Sequence, residues 1–299
     1  MRFVVDEKHD GVLLRSYLKG TLHVSSRMLT RLKNHPEGIK VNGEHVTVRY
    51  FLHTGDRVEL ETRDDVPQSN FRPEQLPFGI LYEDAHLLIV DKPPRMPTHP
   101  SNGHDGDTLA NALCYHYNEL GVPFVFRPVS RLDRNTSGIL TLAKDQYTAS
   151  LLCEQMKRRE MHKTYLAIVH GRLPEHEGRI ETGIRRITPG IVLRETCDVD
   201  AEGAELAVTE YRVIKENEAY SFLELHALTG RTHQLRVQLA SLGCPIVGDG
   251  LYGTDEPCLE RHALHATALE LTHPYTNERM HIVSPLPEDL NEYLRRVLP

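Results

Sequence analysis

Ser130-Arg131-Leu132-Asp133-Arg134-Asn135-Thr136-Ser137-Gly138 runs directly into Ile139-Leu140-Thr141-Leu142-Ala143. The second stretch is largely apolar and has the length of a strand, so it predicts a buried strand. The first stretch reads as the turn that leads into it. It places one carboxylate, Asp133, between two arginines at the mouth of that strand. A side chain there is held rigidly and still faces solvent. Neighbouring guanidinium groups favour an ionised carboxylate and attract a polyanion. For an isolated Arg-Leu-Asp, a surface ion pair in a turn is the better reading. The longer string argues for more.

The rest of the composition narrows the class. A chain of 299 residues with 39% hydrophobic content can build one large domain or two. No run of eighteen apolar residues is present, so no transmembrane helix and no membrane partner are expected. The N-terminus lacks the apolar core of a signal peptide. Five cysteines (Cys114, Cys153, Cys197, Cys244, Cys258) are scattered and form no Cys-x-x-Cys pair. That argues against a zinc ribbon and a disulfide framework, and for a reducing cytoplasm. The net charge of −7 counts mildly against a nucleic-acid partner. Local patches matter more than the total. One runs through Arg15, Lys19, Arg27, Arg31, Lys33 and Lys40. Another surrounds the opening motif and continues through Lys157, Arg158, Arg159 and Lys163. Either run alone reads more simply as a solvated helix face.

Residues 1–62 read as a small α+β module. Val12, Leu13, Tyr17 and Leu18 fall near helical spacing. A second helix is predicted after Ser25-Ser26, which can cap it, through Met28, Leu29 and Leu32. Arg27 and Arg31 share a face of it. Asn42-Gly43 predicts a hairpin between Ile39-Lys40-Val41 and Val46-Thr47-Val48. Residues 63–77 carry three prolines and read as a linker. Residues 78–299 form the second domain. It opens with a strand at Leu87–Val90, stopped by Pro93 and Pro94. Further predictions are a helix over 146–161, a strand over 164–169, a hairpin around Glu216-Asn217-Glu218, a helix over 232–242 and a C-terminal helix marked by Leu286, Leu290 and Leu294.

Several other groups suggest chemistry. Lys163 and Tyr165 lie two apart on one strand face. A tyrosine there can stack on a base or move a proton, although a half-buried structural tyrosine is the commoner case. In Thr229-Gly230-Arg231-Thr232-His233-Gln234-Leu235-Arg236, Thr232 can cap a helix that carries Arg236 on its first turns. That arginine can pair with a buried carboxylate or sit on a charged surface. Gly248-Asp249-Gly250-Leu251-Tyr252-Gly253 fits a dinucleotide fingerprint only in its spacing, because Pro245 weakens the strand before it and Pro257 interrupts a helix after it. Eighteen histidines are present, but without a His-Glu-x-x-His or Asp-x-Asp pattern they read as packing and surface residues. Ser137 lacks the nucleophile-elbow glycines of a serine hydrolase.

Taken in order, three of these strings resemble the motifs of the RluA-type RNA pseudouridine synthases. Asp91-Lys92-Pro93-Pro94-Arg95-Met96-Pro97-Thr98-His99-Pro100 is similar to Asn-Lys-Pro-x-Gly-x-x-x-His-Pro, with Arg95 at the glycine. The opening stretch is similar to His-Arg-Leu-Asp-x-x-Thr-Ser-Gly, with Ser130 at the histidine. Thr229 to Arg236 matches the third motif. The Gly-Asp-x-x-Tyr-Gly loop has its counterpart at 248–253. Residues 12–60 resemble the S-four RNA-binding domain.

The resemblance implies an α+β pseudouridine synthase fold. Its central sheet would be mixed, mainly antiparallel and flanked by helices, with a small N-terminal α+β RNA-binding domain. It implies an isomerase that converts uridines to pseudouridine in structured RNA, either large-subunit ribosomal RNA or transfer RNA. The catalytic residues would be Asp133, its ion-pair partner Arg236, and Tyr165 under the base. Asp133 would attack C1′ or help remove a ribose proton, and the sequence does not choose between these. Arg131 would occupy the space of the flipped nucleotide or hold the backbone, and Lys163, Arg15, Arg27, Arg31 and Lys33 would contact RNA. No cofactor and no metal are expected, and a monomer is. Two other classes fit the composition: a non-catalytic RNA-binding factor that keeps the fold, and a metal-dependent hydrolase using the histidines.

Overall fold

The structure is a computed structural model that describes residues 1–62, 71–101, 103–188, 190 and 192–299. Most of the expected linker, residues 63–70, lies outside the described residues.

The N-terminal module is a four-stranded antiparallel sheet of β1 (Arg2–Val4), β2 (Ile39–Val41), β3 (Glu44–His45) and β4 (Arg57–Leu60), in the order β1-β4-β2-β3. A helical turn, α1 (Leu14–Ser16), widens into a π-type turn over Tyr17–Thr21. The helix α2 (Ser26–Asn34) follows, and its first turn is capped by the Ser25 hydroxyl, which accepts the Met28 N–H at 3.2 Å. Met28, Leu29 and Leu32 form its buried face. The hairpin at Asn42-Gly43 is present, but its second arm is Glu44–His45 rather than residues 46–48. Pairing stops where Val46 and Val48 turn towards the module's own core.

The larger sheet has ten strands: β5 (Gly79–Glu83), β6 (Leu87–Lys92), β7 (Ser137–Ala143), β8 (His162–His170), β9 (Glu177–Arg186), β10 (Arg194–Cys197), β11 (Glu205–Glu216), β12 (Tyr220–Ala227), β13 (Leu264–Thr272) and β14 (Arg279–Val283). Its order is β10-β9-β11-β12-β8-β13-β7-β6-β5, with β14 also on β13. Every pairing is antiparallel except β7 with β13. This matches the mixed, mainly antiparallel sheet implied by the motifs. Helices α3 (Leu109–Glu119), α4 (Gln146–Lys157), α5 (Gln234–Ser241) and α6 (Glu288–Val297) complete the domain. The α4 helix stops at Lys157, short of the expected 161.

All seven residues of β7 are buried, as expected for a strand covered on both faces. Burying Ile139, Leu140 and Leu142 contributes about 1.5–3 kcal/mol each. Only His265 and Ala266 of β13 pair with β7, while Ala268 to Thr272 pair with β14. The two strands thus share one edge of β13. Gly138 makes the junction possible. Its φ is 106°, and a Cβ there would lie 2.2 Å from the Ala266 carbonyl oxygen.

The module and the large sheet are in contact. Tyr147 of α4 is buried in the module's core, with the rings of Phe3 and Tyr275 edge-on to it and Met1 against the same core. Arg31 Nε donates to Gln146 Oε1 at 2.9 Å, and Arg31 Nη2 donates to the Glu61 carbonyl at 2.9 Å.

Candidate active site

The parallel pairing brings the N-terminal ends of β7 and β13 side by side. Asp133 precedes one and His262 precedes the other. The Asp133 loop is held from below. Lys92 is fully buried, and its Nζ donates to the carbonyls of Pro93 (2.8 Å), Met96 (2.8 Å) and Arg134 (3.1 Å). Burial pushes this amine down to about 7, against the pull of Asp133. Thr98 Oγ donates to the Leu132 carbonyl at 2.9 Å and accepts the Leu132 N–H at 3.3 Å. The first and second motifs are therefore locked together. Arg95, at the glycine position of the first motif, has φ 62°. The loop keeps the left-handed backbone that a glycine would supply, and Arg95 pairs with Glu260 across the rim.

Asp133 and Arg236 do meet. Arg236 Nη1 lies 3.2 Å from Asp133 Oδ2. The same guanidinium makes a stronger pair with Asp249. Nε and Nη2 donate to its two oxygens at 2.7 Å each. Both partners are nearly sealed, Asp249 at 1% and Arg236 at 5% exposure. Burial opposes both charges, but their mutual bonds prevail: the carboxyl sits below its usual range and the guanidinium above. Sequence reasoning misses Asp249 as the partner of Arg236. Its one signal is the Gly-Asp-x-x-Tyr-Gly spacing, which speaks only for a structural loop. The tight turn is real, since Gly248 has φ 72° and a Cβ there would approach the Arg261 carbonyl to 2.4 Å.

Two histidines fix the Thr-Ser of the motif. His262 Nε2 lies 2.8 Å from Thr136 Oγ, and His265 Nδ1 lies 2.9 Å from Ser137 Oγ. Burial, helped by the charge of Arg236, pushes His262 down to about 3, so it is neutral. Arg261 Nη1 donates to Ser137 Oγ at 3.0 Å, while its Nε and Nη2 bind Asp289 of α6 at 2.6 and 2.8 Å. The α5 helix starts at Gln234, and His233 rather than Thr232 is its cap residue, with a left-handed backbone and no side-chain cap. Tyr252 lies beside Arg236, the guanidinium carbon 5.2 Å from its ring centre.

A cavity of about 760 Å³ opens above these groups. Asp133, Arg131, Arg134, His233, Arg236, Asp249 and His262 are on its wall. Arg131 is exposed there. Tyr165 is on β8, half-buried between two core clusters, and is not on that wall. Burial, with the charge of Asp133 added, pushes its hydroxyl well above the usual tyrosine range.

Lys163 differs from its expected role. Its ammonium turns inward to Ser130 Oγ (2.8 Å) and the Ile139 carbonyl (3.1 Å), and burial lowers it to about 8. Ser130 therefore accepts a structural bond from the strand that carries Tyr165. Arg15, Arg27 and Lys33 are exposed on the module. Arg31 is not exposed in this way, because its guanidinium joins the module to α4. Among the described residues no group of three or more His, Cys, Asp or Glu could hold a metal ion, and no helix is long and apolar enough to cross a membrane.

Residues 86–241 match the family described as RNA pseudouridylate synthase. The chain is 37% identical to "Uncharacterized RNA pseudouridine synthase YjbO" of Bacillus subtilis, over 92% of this chain and 96% of that protein. It is 36% identical to "Ribosomal large subunit pseudouridine synthase D" of Xanthomonas campestris, over 85% of this chain and 79% of that protein. Among solved structures it is similar to human RNA Pseudouridylate Synthase Domain Containing 4. There the TM-score is 0.60 at 26% identity, covering 73% of this chain and 92% of that one.

Proposed function

The chain belongs to the RNA pseudouridylate synthase family and is an isomerase, and from that premise we propose that Asp133 is its catalytic carboxylate and large-subunit ribosomal RNA its substrate. The reaction breaks the N1–C1′ bond, turns the uracil and joins C5 to C1′. C5 loses its proton and N1 ends protonated, so substrate and product have the same atoms. Uracil delocalises the charge it carries while detached.

One observation carries the assignment. Asp133 lies on the wall of the cavity with Arg236 Nη1 at 3.2 Å, while Arg236 itself is fixed by Asp249. A carboxylate that works beside C1′ must keep its charge and its aim when RNA displaces water. An arginine that cannot swing away supplies both. Arg131, exposed at the rim, takes the place of the flipped nucleotide, whose extrusion costs about a few kcal/mol. Tyr165, on β8 and separated from β7 by β13, lies behind the cavity wall, and the base-supporting role follows only if substrate binding opens a path to its ring. The ribosomal substrate rests on the names of relatives such as the Xanthomonas protein. The exposed Arg15, Arg27 and Lys33 support an RNA-binding role for the N-terminal module. Five scattered cysteines, none of them in a disulfide, support a cytoplasmic setting.

The test is to map pseudouridines in ribosomal and transfer RNA from cells with and without the gene, and from cells carrying Asp133→Asn. At least one large-subunit site should vanish in both altered strains. Sites lost only from transfer RNA would overturn the substrate, and a site retained with Asp133→Asn would overturn the carboxylate.

A further inference from the structure

His233 takes no part in the chemistry assigned to Asp133, Arg236 and Tyr165, yet its surroundings are highly specified. Its backbone is left-handed, φ 58° and ψ 18°, a region that residues with a Cβ rarely enter. It is only 8% exposed. Such strain persists where the surroundings over-determine it, and it clusters at working sites.

The two ring nitrogens face different partners. Nδ1 lies 2.8 Å from the Tyr252 hydroxyl, and Nε2 lies 3.9 Å from Asp133 Oδ2. The Tyr252 oxygen accepts the Arg194 backbone N–H at 2.9 Å, so its own proton is free to be donated. Burial, against the pull of Asp133, keeps His233 below its usual value, and the ring carries one proton. A proton on Nδ1 would leave the bare Nε2 lone pair facing a carboxylate oxygen. A proton on Nε2 faces that oxygen as a donor, and Nδ1 then accepts from Tyr252. Only the second tautomer gives every group a complementary partner.

We propose that His233 is a positioning residue for the isomerisation: its Nε2–H, oriented by Tyr252, closes on Asp133 Oδ2 when RNA fills the cavity. Arg236 Nη1 already reaches the same oxygen at 3.2 Å. With both donors on Oδ2, Oδ1 is the oxygen presented to the ribose. Hydrogen bonds of this kind are commonly long before substrate binds and tighten afterwards. The inference rests on Asp133 being the catalytic carboxylate.

The test uses the full chain and bulk RNA from cells lacking the gene, labelled with tritium at uracil C5. Tritium is released as C5 bonds to C1′. Single-turnover rate at saturating enzyme, RNA affinity and melting temperature are measured for each variant. His233→Ala should lose about tenfold to a hundredfold in rate with affinity unchanged, the scale of a small misplacement at a reacting centre. His233→Gln, whose amide N–H replaces Nε2–H, should recover most of that loss. Tyr252→Phe should fall between them. A wild-type rate for His233→Ala overturns the proposal, as does a loss confined to affinity or a Gln variant no better than Ala. Should His233→Ala not fold, Tyr252→Phe decides: an unchanged rate overturns the proposal. Asp133→Asn separates the premises. If it is active, both assignments fall. If it is dead while His233→Ala is normal, only the His233 role falls.

Discussion

Asp249 holds Arg236 by two hydrogen bonds of 2.7 Å, and Arg236 reaches Asp133 with the nitrogen that remains. The stronger pair is therefore the more deeply buried one. Asp249→Ala should leave a buried guanidinium without its main partner and destabilise the protein by roughly 3–5 kcal/mol, read from denaturant unfolding. A loss under about 1 kcal/mol would show that water or another group compensates.

Arg236→Lys should be nearly as damaging to rate as Arg236→Ala. An ammonium cannot hold Asp249 with two parallel bonds and still reach Asp133. RNA affinity should change little in either variant. Filter binding beside single-turnover rates checks this, and a defect in affinity alone would contradict the arrangement.

Gly138→Ala should cost on the order of 3 kcal/mol, because it adds both a strained backbone and a clash with the Ala266 carbonyl. The melting temperature should fall sharply. An unchanged melting curve would mean that β7 and β13 can move apart at no cost.

His262 should make the protein acid-sensitive. Its folded value, about 3, lies below the usual 6.5, so the unfolded chain takes up a proton that the folded chain refuses. Its contribution is complete above about pH 6.5 and is lost as pH falls towards 3. His262→Gln keeps a polar partner for Thr136 and does not titrate. It should reduce the loss of stability between about pH 7 and about pH 4 by on the order of a few kcal/mol. Parallel pH curves for the two proteins would refute this.

Arg27 and Lys33 should differ from Arg31 in their salt dependence. Replacing either exposed residue by alanine should weaken RNA binding and lower the slope of log affinity against log salt by about 0.7–0.9 for each phosphate left without its cation. Arg31→Ala should instead loosen the module from α4, visible as faster hydrogen exchange around Tyr147, with the slope nearly unchanged.

Local signals in the sequence locate most of this site. The apolar run after Gly138 identifies the strand, and three ordered motifs put Asp133 and Arg236 together across 103 residues. What stays hidden depends on register and side-chain direction. Asp249 reads as part of a turn because its partner comes from another element. Lys163 reads as available to RNA because strand alternation gives a face but not what covers it. The left-handed His233 is equally illegible, since Thr232 is the better cap by residue type and packing overrides that preference.

The seating of Tyr147 against Phe3 and Tyr275 would let the molecule act as a caliper. A module tethered only by its chain would accept any RNA whose two docking points fall within reach. Clamped through an aromatic plug, the module would, in the RNA-binding role proposed for it, hold a fixed span between the basic helix and the cavity around Asp133. Lengthening a substrate stem by a single base pair both moves and rotates the target uridine, so discrimination among RNA sites would come from measurement as much as from touching the bases.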